Sequence, residues 1–168
     1  RAAVDHGALI PGNTAVLGLQ TSAHGYLVKA VRGMVKAGKV LLATNGYTPP
    51  QMAALHRRVF PVPSFIITTE NLGRERIKQL FPSDMMVVES RARHCYYRPS
   101  PDKTRIVFGA RAALFDAPEK FAMGQLRKLL GQVFPQLGQI DISHSWRGFT
   151  GFSFEFMPHV GQIDGVWH

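Results

Sequence analysis

The sequence predicts an α+β chain: an antiparallel β-sheet with one covering helix, joined to a partial Rossmann-like layer that contains a β-meander. Three observations carry this. Short β-rich segments separated by turn residues recur over residues 15–43 and again over 59–110. One strongly periodic segment lies at 117–133, where Ala122, Leu126, Leu129, Leu130 and Val133 fall at i, i+4, i+7, i+8 and i+11 of a helix. Finally, Val40, Leu41, Leu42 and Ala43 form an unbroken apolar run ending in Asn45-Gly46. That is the pattern of a strand covered on both faces that delivers a turn at its carboxyl end, where open α/β sheets bind their ligands.

In chain order, residues 1–5 read as the last turn of a helix stopped by Gly7, and Ala8-Leu9-Ile10 as the next strand. Strand signals at 15–20, 26–31 and 34–36, separated by Ser22-Ala23-His24-Gly25 and Arg32-Gly33, form the meander, and residues 39–43 close it. Pro49-Pro50 breaks the chain ahead of a short helix at 51–57 with Pro50 at its start. Residues 59–70 are β-rich, with Pro61 and Pro63 confining the first part to a sheet edge. A short helix at 72–80 stops at Pro82. Strands are expected at 85–90, 94–99 and 104–110, the last two joined by the turn Ser100-Pro101-Asp102-Lys103.

Asp116 is placed as N-cap of the long helix with Glu119 three residues on, and Pro135 ends it. Ile140, Ile142, His144 and Trp146 alternate with Asp141, Ser143 and Ser145, giving a final strand with an apolar and a polar face. After Gly148, the phenylalanines 149, 152, 154 and 156 fall in an expected glycine-containing loop. The implied divisions are 1–48, 49–147 and 148–168, the last returning to the first layer.

The chain has 168 residues, 45% of them hydrophobic, enough to bury a core. Lys and Arg number 20 against 11 Asp and Glu, a net +9. The basic residues are scattered (Arg57-Arg58, Arg74 and Arg76, Arg91 and Arg93, Arg127-Lys128), which favours a solvated basic surface or an anionic ligand over a nucleic-acid tract. The single cysteine, Cys95, excludes an internal disulfide framework and reads as a small buried side chain. No run approaches the roughly 18 apolar residues of a membrane span, and no secretory leader is visible, so a cytoplasmic location is expected. The start at Arg1 and the end at Val166-Trp167-His168 suggest a piece of a longer chain.

No GxGxxG, P-loop or HExxH occurs, and the histidines lack metal-ligand spacing, so no metal site is expected. In Ser143-His144-Ser145 a regular strand would turn His144 away from both serines, which makes a nucleophile and base pair poor and a structural histidine the better reading. Tyr96, Tyr97 and Arg98 with Trp146 leave two readings open: an aromatic pocket with one cation, or ordinary sheet and edge residues.

Several segments, in this order, resemble the D-amino acid oxidase-like superfamily of flavin-dependent oxidoreductases, the group of the glycine, sarcosine and gamma-glutamylputrescine oxidases. They are Ala15-Val16-Leu17-Gly18-Leu19, the run from Val40 through Tyr47, residues 61–70, Tyr97-Arg98-Pro99 followed by residues 106–111, Phe134-Pro135, and Trp146-Arg147-Gly148 with Pro158-His159-Val160-Gly161. The resemblance spans nearly the whole chain and implies an FAD cofactor, oxidation of a C–N bond in a small-molecule amine, and missing amino- and carboxyl-terminal parts of the FAD-binding layer. It also implies that the Val16 backbone approaches the adenine, that Ala43, Thr44 and Asn45 pass close to the cofactor, and that Tyr97, Arg98 and Trp146 lie on the substrate side. Where the amino acid oxidases of the group carry a carboxylate-binding arginine, this sequence has Thr150, which favours an amine over an amino acid. Alternation keeps Tyr97 and Arg98 from sharing a face, and Tyr97 is the expected pocket residue of the two, since its ring and hydroxyl suit the substrate while Arg98 would be repelled by an ammonium. The alternative outside this group is a basic β-sheet module for single-stranded nucleic acid; within it, the alternative is an amino acid oxidase or dehydrogenase.

Overall fold

The computed structural model describes residues 2–90, 94–111 and 115–168; Arg1, Arg91 and Arg93, named above, lie outside them. In chain order the elements are α1 (Ala2–Asp5), β1 (Val16–Ser22), β2 (Gly25–Ala30), β3 (Gly33–Ala37), α2 (Ala53–His56), β4 (Val59–Thr69), α3 (Arg74–Leu80), β5 (Val87–Val88), β6 (Tyr96–Pro99), β7 (Ile106–Ala110), α4 (Glu119–Val133), β8 (Ile142–Ser153), β9 (Gln162–Ile163) and β10 (Val166–Trp167). They divide into two compact units, one of residues 1–60 with 153–168 and one of residues 61–152. The two units divide after Phe60 and after Phe152, whereas the sequence implied divisions after 48 and 147.

In the first unit β1, β2 and β3 form an antiparallel meander in that order, and β9 pairs with β10. Two expectations are corrected here. Ala8-Leu9-Ile10 is not a strand: Leu9 is 93% exposed and no neighbouring strand among the described residues pairs with it. A strand exists only through its partner, whatever its side chains favour. Nor is 39–43 a strand covered on both faces. It makes one parallel bridge, Leu41 to Trp167, with Leu42 N donating to Trp167 O (2.7 Å) and Trp167 N to Val40 O (3.0 Å). Pairing on one side leaves Leu41 exposed.

The second unit is built on a five-stranded sheet of order β5-β6-β7-β4-β8, with antiparallel pairing at β5·β6, β6·β7 and β4·β7. Alternation decides which side chains are buried. Phe65 and Ile67 of β4 and Ile106, Phe108 and Ala110 of β7 project to one face, where Ala122, Leu126 and Leu130 of α4 cover them. Burying each such Leu contributes about 1.5–3 kcal/mol. Ile77 of α3, Phe81, Phe134 and Cys95 complete this core.

Three further expectations give way in this unit. The residue at the N-cap of α4 is Pro118, not Asp116; the Asp116 carboxylate instead pairs with Arg147 of β8. The stretch after Gly148 is not a loop at first, because β8 continues to Ser153. The alternation from Ile140 to Trp146 is also interrupted. Ile140 and Ile142 join the core, but Ser145 and Arg147 then take the helix side, bonding to Glu119 and to Asp116. A shift of one residue in a strand turns every later side chain to the other face, so Trp146 points away from α4 and is 46% exposed.

Candidate functional site

The face of the second unit's sheet that α4 leaves uncovered follows from the same alternation. It carries Ser64 and Ile66 of β4, Tyr96 and Arg98 of β6, Val107 and Gly109 of β7, Arg111 just beyond it, and Trp146, Gly148, Thr150 and Phe152 of β8. Not one of these side chains is a carboxylate, while two are arginines. Tyr96 is half-buried, and its hydroxyl meets Ser64 Oγ across β7. The ring closes over Gly109, its register partner, where a Cβ would stand 2.1 Å from Tyr96 Cε2. Only a residue without a side chain leaves room for it there. Arg98 is exposed and donates to the Pro99 carbonyl at 3.3 Å. The Arg111 guanidinium lies over the Phe152 ring, 5.3 Å from its centroid, within the range of a cation–π contact.

Of the four expected substrate-side residues, Arg98, Trp146 and Thr150 reach this face and Tyr97 does not. Tyr97 sits in the helix-covered core, stacked on Phe108 at 5.7 Å and edge-on to Phe134 at 5.2 Å and Phe81 at 6.1 Å. Its hydroxyl donates to Glu89 Oε1 at 3.3 Å. The choice of Tyr97 over its neighbours is therefore corrected. Alternation separates Tyr97 from Arg98 as expected, but the tyrosine that joins the arginine is Tyr96. The sequence offered adjacent tyrosines, and either parity gave an aromatic face. Neither Arg111 nor Phe152 was expected as a site residue. The signal for Arg111 was available, since it is one residue past an apolar strand whose buried parity ends at Ala110.

His144 Nδ1 lies 3.0 Å from Ser143 Oγ, closer than an ideal strand would bring it. Ser143 Oγ donates to the Thr69 carbonyl at 2.7 Å, or to that of Thr68 at 3.1 Å. Its one proton is thus committed to backbone, and the imidazole must donate to the hydroxyl oxygen. A histidine that donates cannot act as a base toward that serine, so His144 is structural here. Among the described residues no group of three or more His, Cys, Asp or Glu side chains is arranged to hold a metal ion.

The first unit contains a cavity of about 450 Å³ lined by Val16, Leu17, Gly18, Tyr26, Leu42 and His168, among others. Among the described residues β1 pairs with a strand on one side only, β2, which leaves its other edge outside the sheet. The register shift between Val16 and Gly18 also leaves Leu17 outside the ladder. His168 Nδ1 is buried with no hydrogen-bond partner among the described residues. The cavity's lining is mixed, since Thr21, Gln51, Arg57 and Asp164 stand beside the apolar side chains; apolar surface for a ring and polar groups at its edge suit a flat heterocycle with ring nitrogens. Val16, which the resemblance puts beside the adenine, is one of the residues that line the cavity. Ala43, Thr44 and Asn45 do not line this cavity; they follow Leu42 into a 3-10 turn, Asn45–Tyr47.

That turn is fixed by a chain of hydrogen bonds whose direction can be assigned. Thr48 Oγ1 donates to the Asn45 carbonyl (2.9 Å), so in the 2.7 Å contact between the two hydroxyls Thr44 is the donor. His56 Nδ1 lies 2.8 Å from the Thr48 carbonyl, which can only accept, and this places the imidazole proton on Nδ1. Asn45 takes φ +51°, the left-handed region that asparagine tolerates.

The profile of the DAO family, described as FAD dependent oxidoreductase, matches residues 1–168. A probable oxidoreductase OrdL of Haemophilus influenzae is 31% identical over 167 residues, which is 97% of this chain and 38% of that protein. The gamma-glutamylputrescine oxidoreductase of Escherichia coli is 29% identical over 144 residues, 82% of this chain and 32% of that protein. The chain thus spans under two fifths of the length of these relatives. Among solved structures, glycine oxidase from Geobacillus kaustophilus superposes with a TM-score of 0.72 at 18% identity, covering 99% of this chain and 44% of that one. L-Proline dehydrogenase from P. horikoshii gives 0.71 at 20% identity, covering 98% and 44%. At these identities the structures show a shared fold, mixed α/β with antiparallel sheets.

Proposed function

Since the chain belongs to the DAO family of FAD-dependent oxidoreductases, we propose that the protein containing it oxidises the C–N bond of a small amine. FAD would take up the hydride and pass the electrons on to oxygen. Residues 1–60 and 153–168 are read as part of the FAD-binding layer and residues 61–152 as the substrate-binding sheet. Within the first, the Val16 backbone and the cavity with Leu42 and His168 would hold the cofactor's adenine. Ala43, Thr44 and Asn45 would pass it on the turn that Thr48 and His56 fix.

The observation that carries this reading is the uncovered sheet face: aromatic rings and cations, with no carboxylate among its strand positions. Such a face supplies no strong acid or base. It supplies enclosure, orientation and a fixed electrostatic field, which is what a reaction with hydride transfer to a cofactor requires of the protein. Arg98, Trp146 and Thr150 remain the substrate-side residues, joined by Tyr96. The Trp146 ring can exclude water beside the reacting carbon, and the Tyr96 hydroxyl can orient an amine nitrogen. Relatives by sequence are named as oxidoreductases, one of them gamma-glutamylputrescine oxidoreductase.

Residues 1–168 taken alone should hold FAD weakly, because they contain no glycine fingerprint leading into a helix amino terminus to bind a pyrophosphate. The test of function uses the flavin-loaded protein that contains this chain, assayed for hydrogen peroxide with a panel of small amines. Amine-dependent peroxide is expected. A yellow protein that yields none with any amine or amino acid in air, and whose flavin no amine reduces, would overturn the reading.

A further inference from the structure

We propose that Arg111 is the residue that binds an anionic group of the substrate, taking over from a different strand the role that Thr150 cannot perform. The proposal rests on the reading of the uncovered face as the substrate side.

Four placements support it. Ala110 is fully buried on the helix side, so Arg111, the next residue, turns to the uncovered face. Phe65 pairs with Ala110 in antiparallel register, which puts Arg111 level with Ser64, whose hydroxyl is joined to that of Tyr96. The guanidinium lies over Phe152, two residues along β8 from Thr150 and on the same face. The fourth is the surroundings: the strand positions of that face carry no Asp or Glu to neutralise the cation.

The ring contact distinguishes this arginine from an ordinary surface cation. A cation–π contact holds the guanidinium over Phe152 without using up its N–H donors, which can still form the fork that matches a carboxylate. The ring also restricts the side chain, so less freedom is lost on binding. The hydroxyls of Ser64 and Tyr96 stand alongside; one donates to the other, which leaves one O–H of the pair as a further donor. Arg98 lies four residues from Arg111 along the ladder, since it pairs with Val107, and so belongs to the far end of the face. Thr150 therefore does not leave the face without a fixed cation, and the substrate class becomes an amine that also bears a carboxylate. That carboxylate can sit on the α-carbon or at the end of the molecule remote from the amine; both present the same group to the arginine.

The test uses the flavin-loaded protein and its Arg111→Gln and Arg111→Lys variants, with two readouts. Binding of acetate is followed by calorimetry and by its perturbation of the flavin spectrum. In parallel, kcat/KM is measured for matched neutral amines, α-amino acids and ω-amino acids. Acetate should bind the parent and lose roughly tenfold to a hundredfold in affinity in Arg111→Gln, the range for a charge-assisted hydrogen-bonded pair, with partial recovery in Arg111→Lys. The preference for carboxylate-bearing over neutral amines should collapse toward one in Arg111→Gln, mainly through KM, and whether the α- or ω-amino acids show the preference identifies the carboxylate. Acetate affinity unchanged by Arg111→Gln overturns the proposal, as does an equal loss for neutral and carboxylate-bearing amines. If no amine is oxidised but acetate still binds in an Arg111-dependent way, the functional reading fails and the anion site stands.

Discussion

Tyr96 closes over Gly109 so tightly that a Cβ on the glycine would stand 2.1 Å from Cε2 and 2.4 Å from Cζ of the ring. The two are register partners on neighbouring strands, and the ring reaches across β7 to place its hydroxyl against Ser64 on β4. One absent side chain thus sets where an aromatic group stands on the uncovered face.

Gly109→Ala is expected to swing the Tyr96 ring aside and break its bond to Ser64, while the far side of β7, where Phe108 and Ala110 pack, keeps its contacts. Overpacking of this kind costs about 1–3 kcal/mol. Denaturant unfolding of the variant should show a lowered midpoint with an unchanged slope. An unchanged midpoint would mean that the ring is not held there.

Tyr97 separates a core role from a pocket role. Tyr97→Ala should cost about 3–5 kcal/mol, as other aromatic truncations in cores do. Tyr97→Phe removes only the bond to Glu89 and should cost about 1 kcal/mol. If Tyr97→Ala were within about 0.5 kcal/mol of the parent, the ring would not be part of the core, and the face assignment of β6 would be reversed.

These two tyrosines show how much of the site was legible. The helix Glu119–Val133 was readable because its apolar residues recur at helical spacing, and Ala122, Leu126 and Leu130 are indeed its buried positions. Its cap was not, because Asp116 could serve a helix end or an ion pair, and only the fold brings Arg147 beside it. The sheet was legible from β-rich runs and turns, but its two faces were not. Tyr96-Tyr97 fits either parity, and the slip between Ile142 and Ser145 carries no local signal, so Trp146 was assigned by an alternation that the strand does not keep. Exposure of 8–10 and of Leu41 escaped for a related reason: β-propensity describes the chain, and burial depends on a neighbour. Thr150, Arg98 and Trp146 were named because the family resemblance pointed to them, and the strands place them on the uncovered face, whereas Arg111 needed the sheet register.

The turn after β6 carries a pH dependence. Ser100 Oγ donates to Asp102 Oδ1 at 2.5 Å and Thr104 Oγ1 to Oδ2 at 2.8 Å, and these bonds hold the exposed Asp102 carboxyl below its ordinary value of 3.8, Ser100 contributing most. Because the folded value is the lower one, the stabilisation is present above the unfolded value and is lost as pH falls through the folded one. Titrating the chain by NMR from about pH 5 to about pH 2 should give Asp102 a midpoint below 3.8, with the Thr104 and Arg105 amides losing protection over the same interval. A midpoint above 3.8 would contradict the hydrogen-bonded turn.

The central claim is that this sheet presents an amine to a flavin, and the half-reaction tests it without dependence on the final electron acceptor. The flavin-loaded protein containing this chain is mixed anaerobically with carboxylate-bearing and neutral amines while the visible absorbance of the flavin is followed. The account predicts that at least one amine bleaches the flavin in a saturable way, and that Gly109→Ala and Arg111→Gln slow or weaken that bleaching. Flavin that stays oxidised with every amine, although fully reducible by dithionite, would contradict it.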